Sequence, residues 1–304
     1  MTTEATLAHA VTCEGVGLHS GAHAHVRLLP AAAGSGIQFR RTDLDGFVVE
    51  ARSINVAKVS YATSLMKKGV FISTTEHLLS ALTGAGVDNV VVELDNLEVP
   101  ILDGSAAPFI AMIETAGRRR QQRRRRVMEI IEPLEMREGG KFIGIYPCDE
   151  YRLHYEIDFP HPVIGHQKFD FTWTPENYRR ELAPARTFGF LADFEAMRRQ
   201  GLIRGGSLEN AVVLDHEKVV NGKLRFTDEF VRHKMLDLIG DLALLGAPLR
   251  AAVRADRAGH ALHTALVQRL LAAPRHWRWS QDVSATPPPW LASAPRAGMR
   301  AYTE

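Results

Sequence analysis

Residues 232–241 read Arg-His-Lys-Met-Leu-Asp-Leu-Ile-Gly-Asp, and this stretch sets the strictest condition on the fold. At about 100° per residue in a helix, His233, Asp237 and Asp241 fall on one face, and Met235, Leu238, Ile239 and Leu242 fall on another. The second face asks for an apolar core. The first carries an imidazole and a carboxylate four residues apart, near enough to close on one ion. The alternative is a plain solvated face, although such faces usually use Lys and Glu rather than these shorter side chains. Gly240 lies beside His233 on the wheel. A mid-helix glycine costs about 1 kcal/mol against Ala, so something that approaches closely is expected there. The pattern predicts a helix from Thr227 or Asp228 to Gly246.

Far upstream, Thr75-Glu76-His77-Leu78 offers a second imidazole beside a carboxylate. Two His and one Asp make a three-ligand zinc site with an open position, and an adjacent Glu is a candidate base. The candidate ligands are therefore His77, His233 and Asp237, the candidate base is Glu76, and the chemistry is metal-assisted hydrolysis. Iron or another divalent ion suits the same donors. In isolation the segment has a blander reading. Ser73-Thr74-Thr75-Glu76 matches a capping box opening a helix to about Gly84, and a lone His77 is more often structural. The order is not the His-Glu-x-x-His motif.

Gly259-His260 opens another predicted helix, from His260 or Ala261 to about Ala273. A helix N-terminus lowers the proton affinity of a His, and a carboxylate such as Asp241 would oppose that. His260 then suits proton donation or oxyanion stabilisation; alone, it reads as a surface His. Thr187, in Ala185-Arg186-Thr187-Phe188-Gly189-Phe190, reads by pattern as loop packing. Gly15-Val16-Gly17-Leu18-His19-Ser20-Gly21 has the glycines of a phosphate loop but the spacing of neither nucleotide motif, and it reads as a turn between strands.

Strand-like alternation marks 26–29, 37–40, 90–94, 127–131, 142–146, 151–157 and 212–214, and helical patterns mark 108–117 and 191–200. Each half thus mixes strands with a few helices. The expected division is 1–117, a basic connector at 118–126, 127–280, and a Pro/Ala-rich tail at 281–304 expected to be poorly ordered. No internal repeat is visible by eye. The connector holds seven arginines in nine positions; without them 30 basic residues face 35 acidic ones. The body is mildly acidic and the basic charge local, which argues against nucleic-acid binding as the chain's function. Two cysteines make no disulfide framework. With no apolar run of spanning length and no signal-peptide pattern, a soluble cytoplasmic protein is expected. There is no oligomer signal, and a monomer is the expectation.

Six stretches, in order and to about residue 280, resemble the zinc-dependent UDP-3-O-acyl-N-acetylglucosamine deacetylases of lipid A biosynthesis: Gly15–Gly21, Ile72–Leu78, Ile101–Phe109, Ala185–Phe190, Phe230–Asp241 and Gly259–Leu262. The resemblance implies an α+β fold of two similar domains, each a sheet layered with helices and carrying a small insert, packed face to face around the active site. It implies Zn2+ on His77, His233 and Asp237, with Glu76 as general base. It gives Thr187 an oxyanion role, makes His260 the cationic partner or proton donor, and has Asp241 orient His260 and Lys234 touch substrate. It places an acyl-chain passage in an insert at about 190–213, with Leu191, Phe194, Met197, Leu202, Ile203, Ala211 and Val212 as lining. Phe159, Phe188 and Lys141 match positions that touch sugar or nucleotide. The partner so implied is an acylated UDP-sugar. Because such a substrate lies near lipid, the arginine run could also meet an anionic membrane. Two other readings are a nucleic-acid binder acting through 118–126 and a zinc-bearing structural protein without turnover.

Overall fold

The structure, a computed structural model, describes residues 3–57 and 61–280. The tail at 281–304 lies outside the described residues. The first half opens with β1 (Thr3–Leu7), followed by β2 (Val11–Val16), β3 (His23–Pro30), β4 (Ile37–Arg41) and β5 (Phe47–Glu50). A small hairpin, β6 (Leu65–Lys67) and β7 (Val70–Ile72), leads to helix α1 (Glu76–Gly84). Strand β8 (Val90–Leu94), helix α2 (Ala107–Ala116) and strand β9 (Arg118–Arg124) complete it. The second half begins with β10 (Met128–Ile130), β11 (Leu134–Glu138), β12 (Lys141–Tyr146), β13 (Arg152–Phe159) and β14 (Gly165–Thr172). After a single turn α3 (Pro175–Asn177) come β15 (Phe188–Phe190), α4 (Leu191–Arg199) and β16 (Val212–Leu214). The chain then forms α5 (Glu229–Leu242), β17 (Leu249–Arg250), β18 (Ala252–Asp256), α6 (His260–Ala272) and β19 (Trp277–Trp279).

Both halves are built on a five-stranded sheet of one topology. The spatial orders are β2-β3-β8-β4-β5 and β11-β12-β18-β13-β14. Counted within each half, both run first, second, fifth, third, fourth. Directions also match, since β8 is antiparallel to β3 and parallel to β4, as β18 is to β12 and β13. A parallel neighbour requires a crossover, and α1 and α5 lie in those two crossovers. The repeat that the sequence hides is one of topology.

Helix α1 packs on α5, α2 packs on α1, and α6 on α5, while α5 also rests on β13 and β14 and α6 on β11 and β12. The order of layers is sheet, helices, helices, sheet: the two similar domains face to face that the resemblance implies. Alternation explains the sheets. In β3 Ala24, Val26 and Leu28 turn inward, and in β13 Leu153, Tyr155 and Ile157 do so. Each large side chain so buried contributes about 1.5–3 kcal/mol. One apolar cluster runs through both halves by way of Leu78 and Leu82 of α1 and Leu236 and Ile239 of α5. Each half carries a small insert, the β6–β7 hairpin in the first and β15-α4-β16 in the second, where β15 and β16 pair in parallel.

The arginine run departs from the expected connector. Arg118–Arg124 is a strand, antiparallel to β1, with most of its side chains exposed. Backbone pairing needs no apolar alternation, and ion pairs from Arg123 to Glu4 (3.2 Å) and Arg125 to Asp88 (2.7 Å) hold this segment to the first half. Besides β9, the strands β1, β2, β5, β6, β7, β11, β14, β15, β17, β18 and β19 lie outside the stretches that alternation marks in the sequence.

Candidate active site

Helices α1 and α5 meet at Gly240. A Cβ built there would lie 2.1 Å from the carbonyl oxygen of Glu76, so the close approach expected at this glycine is the backbone of α1. The contact brings three sequence-distant donors together. His77 Nε2 lies 3.5 Å and His233 Nε2 3.4 Å from one oxygen, Asp237 Oδ1. The two imidazoles are 5.0 Å apart at 86°. All three residues are under 5% exposed, which removes the solvated-face reading of α5.

Asp237 Oδ1 is buried with no hydrogen-bond partner. Leaving such an oxygen unmet costs about 1–3 kcal/mol or more, unless another group takes up its lone pairs. His233 Nδ1 donates to the Ala185 carbonyl at 3.1 Å, which turns the free lone pair of Nε2 toward that oxygen. Burial disfavours a charged imidazole and brings His233 down to about 4 despite Asp237. Burial also opposes the charged form of Asp237, but His233 and Lys234 outweigh it and hold the carboxyl well below its usual range. Lys234 Nζ sits 3.2 Å from Asp237 Oδ2. Neutral imidazoles and an ionised carboxylate are the forms in which these side chains ligate metal. The three donors fit one divalent cation with a coordination position to spare.

Glu76 is the first residue of α1 and buried. Its Oε2 accepts from the Thr63 backbone N–H at 3.0 Å. Burial raises its proton affinity, and His260 and His77 pull the other way. The expected capping box does not form. Thr75 makes no side-chain cap; its hydroxyl donates to the Thr63 carbonyl at 3.0 Å instead. The physical reason is the loop at Thr63, which offers both residues a tertiary partner in place of the helix's own amides.

Asp241, fully buried, lies one turn further along α5. Thr63 Oγ1 donates to its Oδ1, and Nδ1 of both His260 and His263 donates to its Oδ2 at 2.8 Å. His260 is therefore no surface residue. Burial works against its charge, yet Asp241, with Asp237 and Glu76, lifts it to about 9. It is cationic at neutral pH, with Nε2 3.9 Å from Asp237 Oδ2.

The loop carrying Thr187 is clamped from three sides. Thr187 N–H donates to the Gly104 carbonyl (2.8 Å), its carbonyl accepts from Val212 N–H (2.7 Å), and Arg186 pairs with buried Glu229 at 2.8 Å. Phe188 stands edge-on to His233 with centroids 6.4 Å apart, and Phe159 packs on Phe188 at 5.7 Å, so these two form an aromatic wall beside the donors. Lys141 is exposed at the start of β12, outside that group. Of the expected passage residues, Ile203, Ala211 and Val212 are buried, Phe194, Met197 and Leu202 half-buried, and Leu191 half exposed. In the Gly15–Gly21 turn, Glu98 already occupies the amides of His19 (2.9 Å) and Ser20 (2.7 Å), where a phosphate would have to bind. The sequence reading missed Thr63, His263 and the Ala185 carbonyl. Only His263 left a signal, an imidazole one turn beyond His260.

Buried imidazoles, a carboxylate and a neighbouring glutamate at the seam of two matched α+β domains are the donor set of a metal-assisted hydrolase. The chain belongs to the UDP-3-O-acyl N-acetylglycosamine deacetylase family, whose model matches residues 4–272. It is 53% identical to a protein of Solibacter usitatus (strain Ellin6076), covering 90% of this chain and 93% of that protein. It is 47% identical to one of Anaeromyxobacter sp. (strain Fw109-5), over 88% of each. It is 42% identical to one of Xylella fastidiosa (strain Temecula1), over 92% and 93%. All three carry the name UDP-3-O-acyl-N-acetylglucosamine deacetylase. The chain is thus a deacetylase by family, a hydrolase acting on an amide.

Proposed function

We propose that this chain hydrolyses the N-acetyl group of a UDP-3-O-acyl-N-acetylglucosamine, as a zinc enzyme serving lipid A synthesis. The observation that carries the reading is the buried, unpartnered Asp237 Oδ1 faced by Nε2 of His77 and His233. A divalent ion held by those three donors supplies Lewis acidity, which acidifies water and polarises a carbonyl. Zinc is the ion proposed, and iron would suit the donors as well.

Glu76 takes one proton from the attacking water as its oxygen bonds to the acetamide carbon. Burial raises the proton affinity of Glu76, which makes its ionised carboxylate a stronger base for that task. His260, already cationic, faces the negative charge that builds on the carbonyl oxygen and gives a proton to the leaving nitrogen as the C–N bond breaks. Asp241 keeps His260 charged and oriented, and Thr187 contributes its hydroxyl to the oxyanion. Lys234, Phe188, Phe159 and Lys141 are assigned to the sugar and nucleotide. The passage for the acyl chain is assigned to the β15-α4-β16 insert with Leu191, Phe194, Met197, Leu202, Ile203, Ala211 and Val212. Among the described residues no helix is long and apolar enough to cross a membrane. A cytoplasmic monomer touching an anionic membrane through residues 118–126 is part of the same proposal. The test is Glu76→Gln: metal content should stay at wild-type level while release of the amine falls by at least the about 10²-fold typical of a lost general base. Full turnover in that variant would refute the assignment.

A further inference from the structure

Behind Asp241 lies a second layer of buried groups with no place in the reaction described above. His263 is fully buried on α6, one turn after His260. Its Nδ1 donates to Asp241 Oδ2 at 2.8 Å, the oxygen that His260 Nδ1 also uses. Its Nε2 lies 3.0 Å from the hydroxyl of Tyr155, itself fully buried on β13. The same hydroxyl donates to the Ala258 carbonyl at 2.8 Å. Ala258 stands two residues before His260, in the connection from β18 to α6. One phenol thus ties down both His263 and the backbone entry to His260.

We propose that His263, held by Tyr155, is a positioning residue for His260, acting through the shared oxygen of Asp241. The inference rests on the role given to His260 above. The physical argument is one of hydrogen-bond capacity. The Asp241 carboxylate is fixed by three donors: Thr63 Oγ1 on Oδ1, and the two imidazole N–H groups on Oδ2. With His263 removed, Oδ2 keeps a single donor, and the carboxylate can rotate to improve that bond. His260 Nε2 then loses its set direction toward the metal donors. Groups that orient a catalytic side chain from behind typically contribute a factor of about 10–100.

Two replacements separate the contacts. Asn at 263 can place its amide N–H where Nδ1–H stands and keep the bond to Asp241. Gln carries its amide further out, toward Tyr155, and loses that bond. The experiment measures kcat and KM for amine release by the metal-loaded full chain, with thermal melting and metal content as controls. His263→Leu and His263→Gln should lose about 10–100-fold in kcat with KM and metal content unchanged, and His263→Asn should recover most of the loss. Tyr155→Phe should lower kcat less, because Asp241 keeps its three donors. The double variant H260Q/H263L should be no slower than H260Q alone, since His263 acts only through His260. Losses that add in the double variant, or an Asn variant no better than Leu, would overturn the inference. So would a His263→Leu enzyme with wild-type kcat. If H260Q itself kept full turnover, the role of His260 would fall and this inference with it. An impaired H260Q beside an unimpaired H263L would refute the inference alone.

Discussion

Gly240→Ala puts the seam between the halves to the most direct test. On helix propensity alone the change should stabilise α5 by about 1 kcal/mol. Packing opposes that gain. The new Cβ would meet the Glu76 carbonyl oxygen at 2.1 Å, its carbon at 2.8 Å and its Cα at 3.0 Å, all backbone atoms of α1. No rotamer change relieves a backbone clash. Restoring ordinary contact needs α1 and α5 to separate by about 1 Å, and overpacking of this kind costs about 1–3 kcal/mol. The separation also pulls His77 and Glu76 away from His233, Asp237 and Asp241. Misplacing reacting groups by about 1 Å can cost about 10²-fold in rate. Gly240→Ala should therefore melt several degrees below wild type, at about 2–4 °C per kcal/mol, bind metal less tightly and release amine about 10²-fold more slowly. Melting curves, metal titration and amine release are the assays. A variant that melts higher than wild type and turns over normally would show that the helices do not meet here, and the account of the site would be wrong.

Three further outcomes are expected. Tyr178→Phe strands the buried hydroxyl of Ser80, its partner at 2.8 Å, so chemical denaturation should show a loss of about 1–3 kcal/mol, and no loss would refute the pairing. Glu156 is held down to about 2, first by its hydrogen bond from His154, against burial, with help from His166. Its folded-state value lies below the unfolded one. The stabilisation is therefore complete above about pH 4.5 and fades as pH falls toward 2; Glu156→Gln should flatten stability against pH in that window, and an unchanged slope there would contradict the assignment. Arg119 and Arg120 are exposed on β9, and each basic residue near an anionic surface contributes about 1 kcal/mol. Co-sedimentation with anionic vesicles should fall at least about 10-fold in R119Q/R120Q, whereas equal binding would exclude the membrane contact.

The parts of this molecule that follow from local pattern were legible in the sequence. Helix α5 was placed to within a few residues, because the apolar face and the His/Asp face share one 3.6-residue period. Its last expected turn is a 3-10 turn, Ala243–Leu245, before Gly246. His77, His233 and Asp237 were legible from side-chain chemistry. Features fixed by distant partners were not. The arginine run pairs with residues more than a hundred positions away, and nothing in its side chains announces that. The capping-box motif lost to tertiary hydrogen bonds at Thr63. Thr63 carries no local signature; it matters because its loop reaches Glu76, Asp241 and His260 together. The two sheets share connectivity without a repeat visible in the sequence, so their kinship appears only in three dimensions.

The most direct test of the central claim follows amine release from a UDP-3-O-acyl-N-acetylglucosamine, first on the enzyme as isolated, then after chelation, then with zinc restored. The account predicts turnover that vanishes on chelation and returns with about one equivalent of zinc per chain, the three-donor site leaving a position open. Turnover that persists in a protein shown to be free of metal would contradict it.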